Sequence, residues 1–210
     1  MTERSFIFVL LFRKKMTKAE RTKQFILEKS APIFNTKGVA GTAMSDIMEA
    51  TKLAKGSLYV HFDSKEDLSY AVVDYNLDKL AEKSVAAMNK HKTAKGKILA
   101  FVDLYSDPLN PPVVGGCPML NFGMEADDTN PIIKQKVNRM VQASPQKLAA
   151  IIEQGIKDGE FKNSWNAKEF GIKMFAMIEG GILMSRVSGN KERMTILINV
   201  IKKEIEENSI

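Results

Sequence analysis

The chain has 210 residues, 44% of them hydrophobic, and a formal net charge of +6, enough for one larger domain, or a small module joined to a bigger one, around an ordinary core. Its single cysteine excludes an intramolecular disulfide framework and its two histidines leave no zinc-type ligand cluster, so no metal or cofactor is expected and a cytoplasmic setting is the default. The charge is unevenly placed: residues 1–65 hold 12 Lys/Arg against 6 Asp/Glu, and the remainder is balanced at 19 against 19, which suggests that the first part meets a polyanion and the rest does something else.

Residues 1–15 read as an N-terminal extension. The apolar run SFIFVLLF (5–12) is well short of the roughly 20 residues that span a bilayer. Its basic cluster Arg13-Lys14-Lys15 follows the run, and no small-residue cleavage site appears, so neither a membrane partner nor a signal peptide is expected, and Met16 is a candidate start.

From Met16 onward the periodicity is helical and no β-hairpin signal appears. In TKAERTKQFILEKSAPIFNTKG, Ile26, Leu27, Ser30 and Phe34 share one stripe, Pro32 is expected to kink it, and Gly38 supplies the stop. Thr42 is placed to cap a short second helix over AMSDIMEA, with Ile47 facing inward. A turn at Thr51-Lys52-Leu53 leads into KGSLYVHF. Ser64-Lys65-Glu66-Asp67 then has the pattern of an N-cap with an acidic residue three on, opening a long helix to about His91.

Two short helices joined by a three- or four-residue turn, the second rich in small and donor residues, fit a helix-turn-helix whose second helix enters the DNA major groove. Gly56 and Ser57 allow close approach to the duplex, while Lys55, Tyr59, His61 and Lys65 reach phosphates or base edges from the flanks. Thr42, Ala43 and Ser45, at the start of the first helix of the pair, complete the candidate DNA-binding set. A capped surface helix would explain neither the small residues nor the uneven charge.

The remainder continues as helices over 94–106, from 117, from Pro131 at a favourable first helical position, over 166–187 and over 191–207, with a Pro- and Gly-rich loop DPLNPPVVGG at 107–116. Pro145 is expected to kink or split the helix that begins at Pro131, and Gly159 to end it. The reading is an all-α protein of about nine helices: a helix-turn-helix domain over 16–63 and a larger helical domain over 64–210.

The arrangement T-K-x-x-I-L…F-x-x-K-G-x-x-x-T-x-M-x-D-I…K-G-S-L-Y-x-H-F-x-S-K-E-D-L, running from Thr22 to Leu68, resembles the N-terminal domain of the TetR family of bacterial regulators. The resemblance implies an all-α homodimer with double-stranded operator DNA as one partner and a C-terminal domain that senses a small molecule. Pro32 departs from the pattern without touching the DNA face.

FGIKMFAMIEGGILM (170–184) is apolar nearly all round and needs burial on two sides, one of them against a partner subunit. The stripe Met194, Leu197, Ile198, Ile201 and Ile205 on the last helix is the expected dimer interface, with a monomeric helical core as the alternative. Phe101, Tyr105, Leu120, Phe122, Met124, Met174, Phe175, Met177 and Ile178 can line a ligand pocket or serve as plain core. Glu179 lies mid-helix among them, where a carboxylate needs a partner, a ligand cation or a raised pKa. Cys117, at a helix start, is either a buried inert thiol or a sensor with a lowered pKa, and GCPMLNFGMEADDTNP resembles the sixth-helix segment of a TetR branch that includes repressors of electrophile-detoxifying genes. The leading reading is a repressor released from DNA by an effector, with the helix that starts at Lys65 as the lever; redox sensing through Cys117 and effector-independent architectural DNA binding are the alternatives. An enzyme using Cys117 lacks a base, since His61 lies on the DNA-reading helix and His91 far along the chain.

Overall fold

The computed structural model describes residues 16–210, so the reading of residues 1–15 lies outside it. Among the described residues nine helices follow one another: α1 Lys18–Gly41, α2 Met44–Thr51, α3 Lys55–Tyr59, α4 Lys65–Met88, α5 Ala94–Leu104, α6 Pro118–Ala126, α7 Pro131–Lys157, α8 Ala167–Ser188 and α9 Glu192–Glu207. Over the described residues the fold is all-α, with one isolated β-bridge between Phe161 and Ser209 outside the helices.

α1 starts where Thr17 and Glu20 cap each other: Glu20 N donates to Thr17 Oγ1 at 3.2 Å, and Thr17 N to the Glu20 carboxylate at 2.7 Å. That contact holds the Glu20 carboxyl below the usual carboxylate range. The helix continues through Pro32 and breaks at Gly38, whose φ of 77° leaves the helical region, so the stop falls on the glycine as its freedom at positive φ predicts. Thr42 does not cap α2. Its hydroxyl donates to Gly38 O at 2.6 Å, satisfying a carbonyl that the break would orphan, and Ala43 takes the N-cap position, with its N–H donating to Asp46 Oδ2 at 2.9 Å. Ile26, Phe34, Ile47 and Leu58 pack α1, α2 and α3 around a common core, each burial contributing about 1.5–3 kcal/mol.

α4 opens at Ser64, whose Oγ accepts from Asp67 N at 3.1 Å. Its buried face, Leu68, Val72, Val73, Leu77 and Leu80, runs from the helix-turn-helix into the larger helical body. Pro145 does not split α7, which continues past it as one helix. At that point α7 and α8 approach so closely that a Cβ on Gly171 would stand 2.8 Å from Pro145 O, so Gly171 is what lets the two backbones meet.

Candidate functional site

Leu58 anchors α3 in the core and turns its other residues outward. Lys55, Gly56, Ser57 and Tyr59 are exposed, with Ala43 and Ser45 exposed at the start of α2, while His61 and Lys65 are partly buried at the rim. A Cβ on Gly56 would meet nothing within 4 Å, so the middle of α3 is open to a close-approaching surface. Thr42 is not on this face; it is buried and spent on Gly38 O. Three exposed residues that the sequence reading passed over join the surface: Lys52, Ala54 and Val60, the last 79% exposed. Lys52 stands in the left-handed region at φ 57° and its N–H donates to Met48 O at 2.8 Å, closing α2. Its position directly after the short helix was the available signal. An apolar side chain such as Val60 suits contact with a thymine methyl in the groove.

The helix-turn-helix is tied to the larger body through α6 and the loop before it. The Glu125 carboxylate accepts from Val39 N at 2.7 Å and Ala40 N at 2.6 Å, just after the break at Gly38. Asn121 Nδ2 donates to Asn35 O at 2.8 Å, and Asn35 Nδ2 donates to Val114 O and Gly116 O at 2.8 and 3.0 Å. Gly115 and Gly116 both have positive φ, and a Cβ on Gly115 would stand 2.8 Å from Asn35 O. Arg186 of α8 donates to Gly115 O at 2.9 Å. None of these polar residues was singled out in the sequence, because each acts through backbone groups that are brought near only by the fold.

Next along the chain, Cys117 is the N-cap residue of α6, as its place before Pro118 suggests. Its thiol is buried and donates to Glu179 Oε1 at 3.5 Å. Burial, and then the neighbouring carboxylate, push the thiol well above its ordinary value, so the lowered pKa of a reactive cysteine is not found. Desolvation outweighs the helix end.

Glu179 lines a cavity of about 70 Å³ between α4, α5, α7 and α8. Of the sequence candidates, Phe101, Tyr105, Phe175, Ile178 and Glu179 line it. Cys117 touches Glu179 from behind and lines a separate small hollow with Pro108 and Pro112. Met124 is 76% exposed and lies outside, Phe122 and Met174 are buried in the core, and Leu120 and Met177 pack against that core; none of the five lines the cavity. The α6 and α8 periods place an apolar residue on a face without saying which neighbour covers it. The walls the sequence did not reveal come from α4 (Leu80, Ser84, Met88), from Met119, and from α7 (Met140, Lys147, Leu148). Ser84 Oγ and Tyr105 OH lie 2.8 Å apart, and burial drives the phenol pKa upward. Burial also raises the Glu179 carboxyl from 4.5 to about 7. Its Oε2 is fully enclosed and has no hydrogen-bond partner among the described residues.

The expected dimer stripe faces the other way. Met194, Ile198, Ile201 and Ile205 are buried within the protomer and Leu197 is half-buried, because Gly181 lets α9 sit hard against α8. The outward apolar residues are Ile196 and Val200 on α9 and Ile172, Leu183, Met184 and Val187 on α8, Val187 being 81% exposed. α8 does have the second apolar side that its composition predicts.

A core-backed helix-turn-helix with an open recognition surface, bonded to a cavity-bearing helical body, defines a DNA-binding transcriptional regulator. Residues 26–72 match the family model described as bacterial regulatory proteins, tetR family, and residues 94–201 match the tetracyclin repressor-like C-terminal domain. The chain belongs to the TetR family, whose members are DNA-binding transcriptional regulators. A TetR-family regulator from Cytophaga hutchinsonii is 34% identical, with a TM-score of 0.88 over 94% of this chain and 99% of that one. One from Chloroflexus aurantiacus is 33% identical, with a TM-score of 0.85 over 92% and 98%. The transcriptional repressor DhaR of Mycobacterium sp. (strain GP1) is 22% identical over 187 residues, covering 85% of this chain and 89% of the relative. No helix among the described residues is long and apolar enough to cross a membrane.

Proposed function

We propose that the protein is a ligand-responsive repressor that binds a pseudo-palindromic operator as a homodimer and leaves it when a small molecule occupies the cavity beside Glu179. The observation that carries this reading is the run of polar contacts from cavity to DNA surface: Glu179 to Cys117, the adjoining Gly115-Gly116 loop to Asn35, and Glu125 to the backbone at the α1 break. A ligand that draws on Glu179 competes with the Cys117 thiol. Displacing Cys117 moves the glycine loop and α6, and with them α1 and the recognition helix. α4 offers a second, packed route. Only a conformation that puts the two recognition helices about 34 Å apart matches successive major grooves, so a ligand that binds a different conformation better releases the operator.

The exposed faces of α8 and α9, around Val187 and Ile196, are the self-complementary surface for the partner subunit. Lys52, Lys55 and Lys65 supply phosphate contacts, and Ser57 and Val60 the base-facing edge. Salt-dependent anisotropy on a selected duplex tests the DNA surface. Lys55→Ala and Lys65→Ala should each weaken binding to every sequence and lower the salt slope by about one; unchanged affinity and slope in both would refute the assignment.

A further inference from the structure

We propose that Glu179 is the recognition group of the cavity and that its ligand is an apolar molecule carrying a protonated amine. This rests on the reading of the cavity as an effector site and names the effector's chemistry. The lining is mostly apolar, with polar side chains from Ser84, Tyr105, Ser144, Lys147 and Glu179, of which Glu179 is the one carboxylate.

Among the described residues Oε2 of Glu179 is enclosed without a partner, and Oε1 has only the weak thiol donor of Cys117 at 3.5 Å. An enclosed carboxylate demands a donor, and a charged donor best of all. The ionisable groups around it leave that need unmet. Cys117, from α6, and Tyr105, at the end of α5, are held protonated by burial. Lys147, from α7, lines the cavity but is exposed and forms no ion pair with Glu179. The raised carboxyl pKa is what such an unpaired site produces. The rings of Phe101 and Tyr105, 5.1 Å apart, and the soft sulfurs of Met88 and Met140 suit the apolar body of a cation and add attraction for its charge. An anionic ligand would face Glu179 at the cavity wall, and a neutral hydrocarbon would leave Oε2 unsatisfied.

Three isosteric probes test the proposal: 4-phenylbutylammonium, 4-phenylbutan-1-ol and 4-phenylbutyrate, titrated calorimetrically into the full chain at pH 8. The ammonium should bind about tenfold or more tighter than the alcohol, and the carboxylate should not bind. Glu179→Gln should remove the preference for the ammonium and leave the alcohol unchanged, while Glu179→Asp should keep part of it. If the wild type binds ammonium and alcohol alike, if Glu179→Gln leaves the preference intact, or if no probe binds, the proposal falls. Operator release, followed by anisotropy in the same samples, separates the two readings. Selective binding of the ammonium without release would keep the recognition role of Glu179 and overturn the effector reading instead.

Discussion

A carboxyl enclosed as Glu179 is keeps its proton at pH values where a free one has lost it. Its folded pKa of about 7 stands above the ordinary 4.5. Between those values the folded state holds a proton that the unfolded chain has released. Stability contributed by this group is therefore greatest below about pH 4.5 and falls as pH rises to 7, by at most on the order of 3 kcal/mol. Glu179→Gln should flatten that part of the melting-temperature profile and raise the melting temperature at pH 8; a parallel profile in the variant would show that the carboxyl is not the titrating group. On the DNA face, Ser57 and Val60 are exposed on and just after α3. Substituting either should shift the preferred sequence, by about 1–3 kcal/mol per altered base contact, which a binding-site selection with each variant would display as a changed consensus.

α6 joins the helix-turn-helix to the larger helical body through a few backbone groups. Glu125→Ala would leave the partly exposed N–H groups of Val39 and Ala40 to water, losing about 0.5–1.5 kcal/mol for each bond. Amide exchange should speed up at Val39 and Ala40, and operator release by a cavity ligand should be blunted. Unchanged exchange there would contradict the coupling. On α8 and α9, Val187→Asp with Ile196→Asp should give monomers by light scattering. Ile201→Asp should unfold the protomer instead, because that side chain is buried at home. The contrast explains what the sequence could and could not reveal. The helix-turn-helix was legible because its signals are local: a glycine at positive φ, Ser64 as an N-cap, and small and donor residues within one turn. The packing of α9 was not, because α9 carries apolar residues on both faces, and periodicity cannot tell the face that meets α8 from the one left exposed. The cavity was half legible for the same reason. Glu179 stood out as a charge in an apolar helix, whereas the Leu80–Met88 and Met140–Leu148 walls are set by helices far away in sequence.

The molecule as a whole is asymmetric in charge and in packing. Residues 1–65 hold the excess of positive charge, and the balanced remainder holds the cavity and the outward apolar faces of α8 and α9. Such a division suits a protein in which one end meets a polyanion and the other binds a ligand and a second copy of itself. The most direct test is selection of binding sites from random duplex DNA, followed by measurement of the stoichiometry on the winning sequence. An enriched inverted repeat whose half-sites lie about one helical turn apart, bound by one or more dimers and by few scrambled sequences, is the predicted result. Absence of enrichment over the starting pool, or binding by single chains with equal affinity for scrambled DNA, would contradict it.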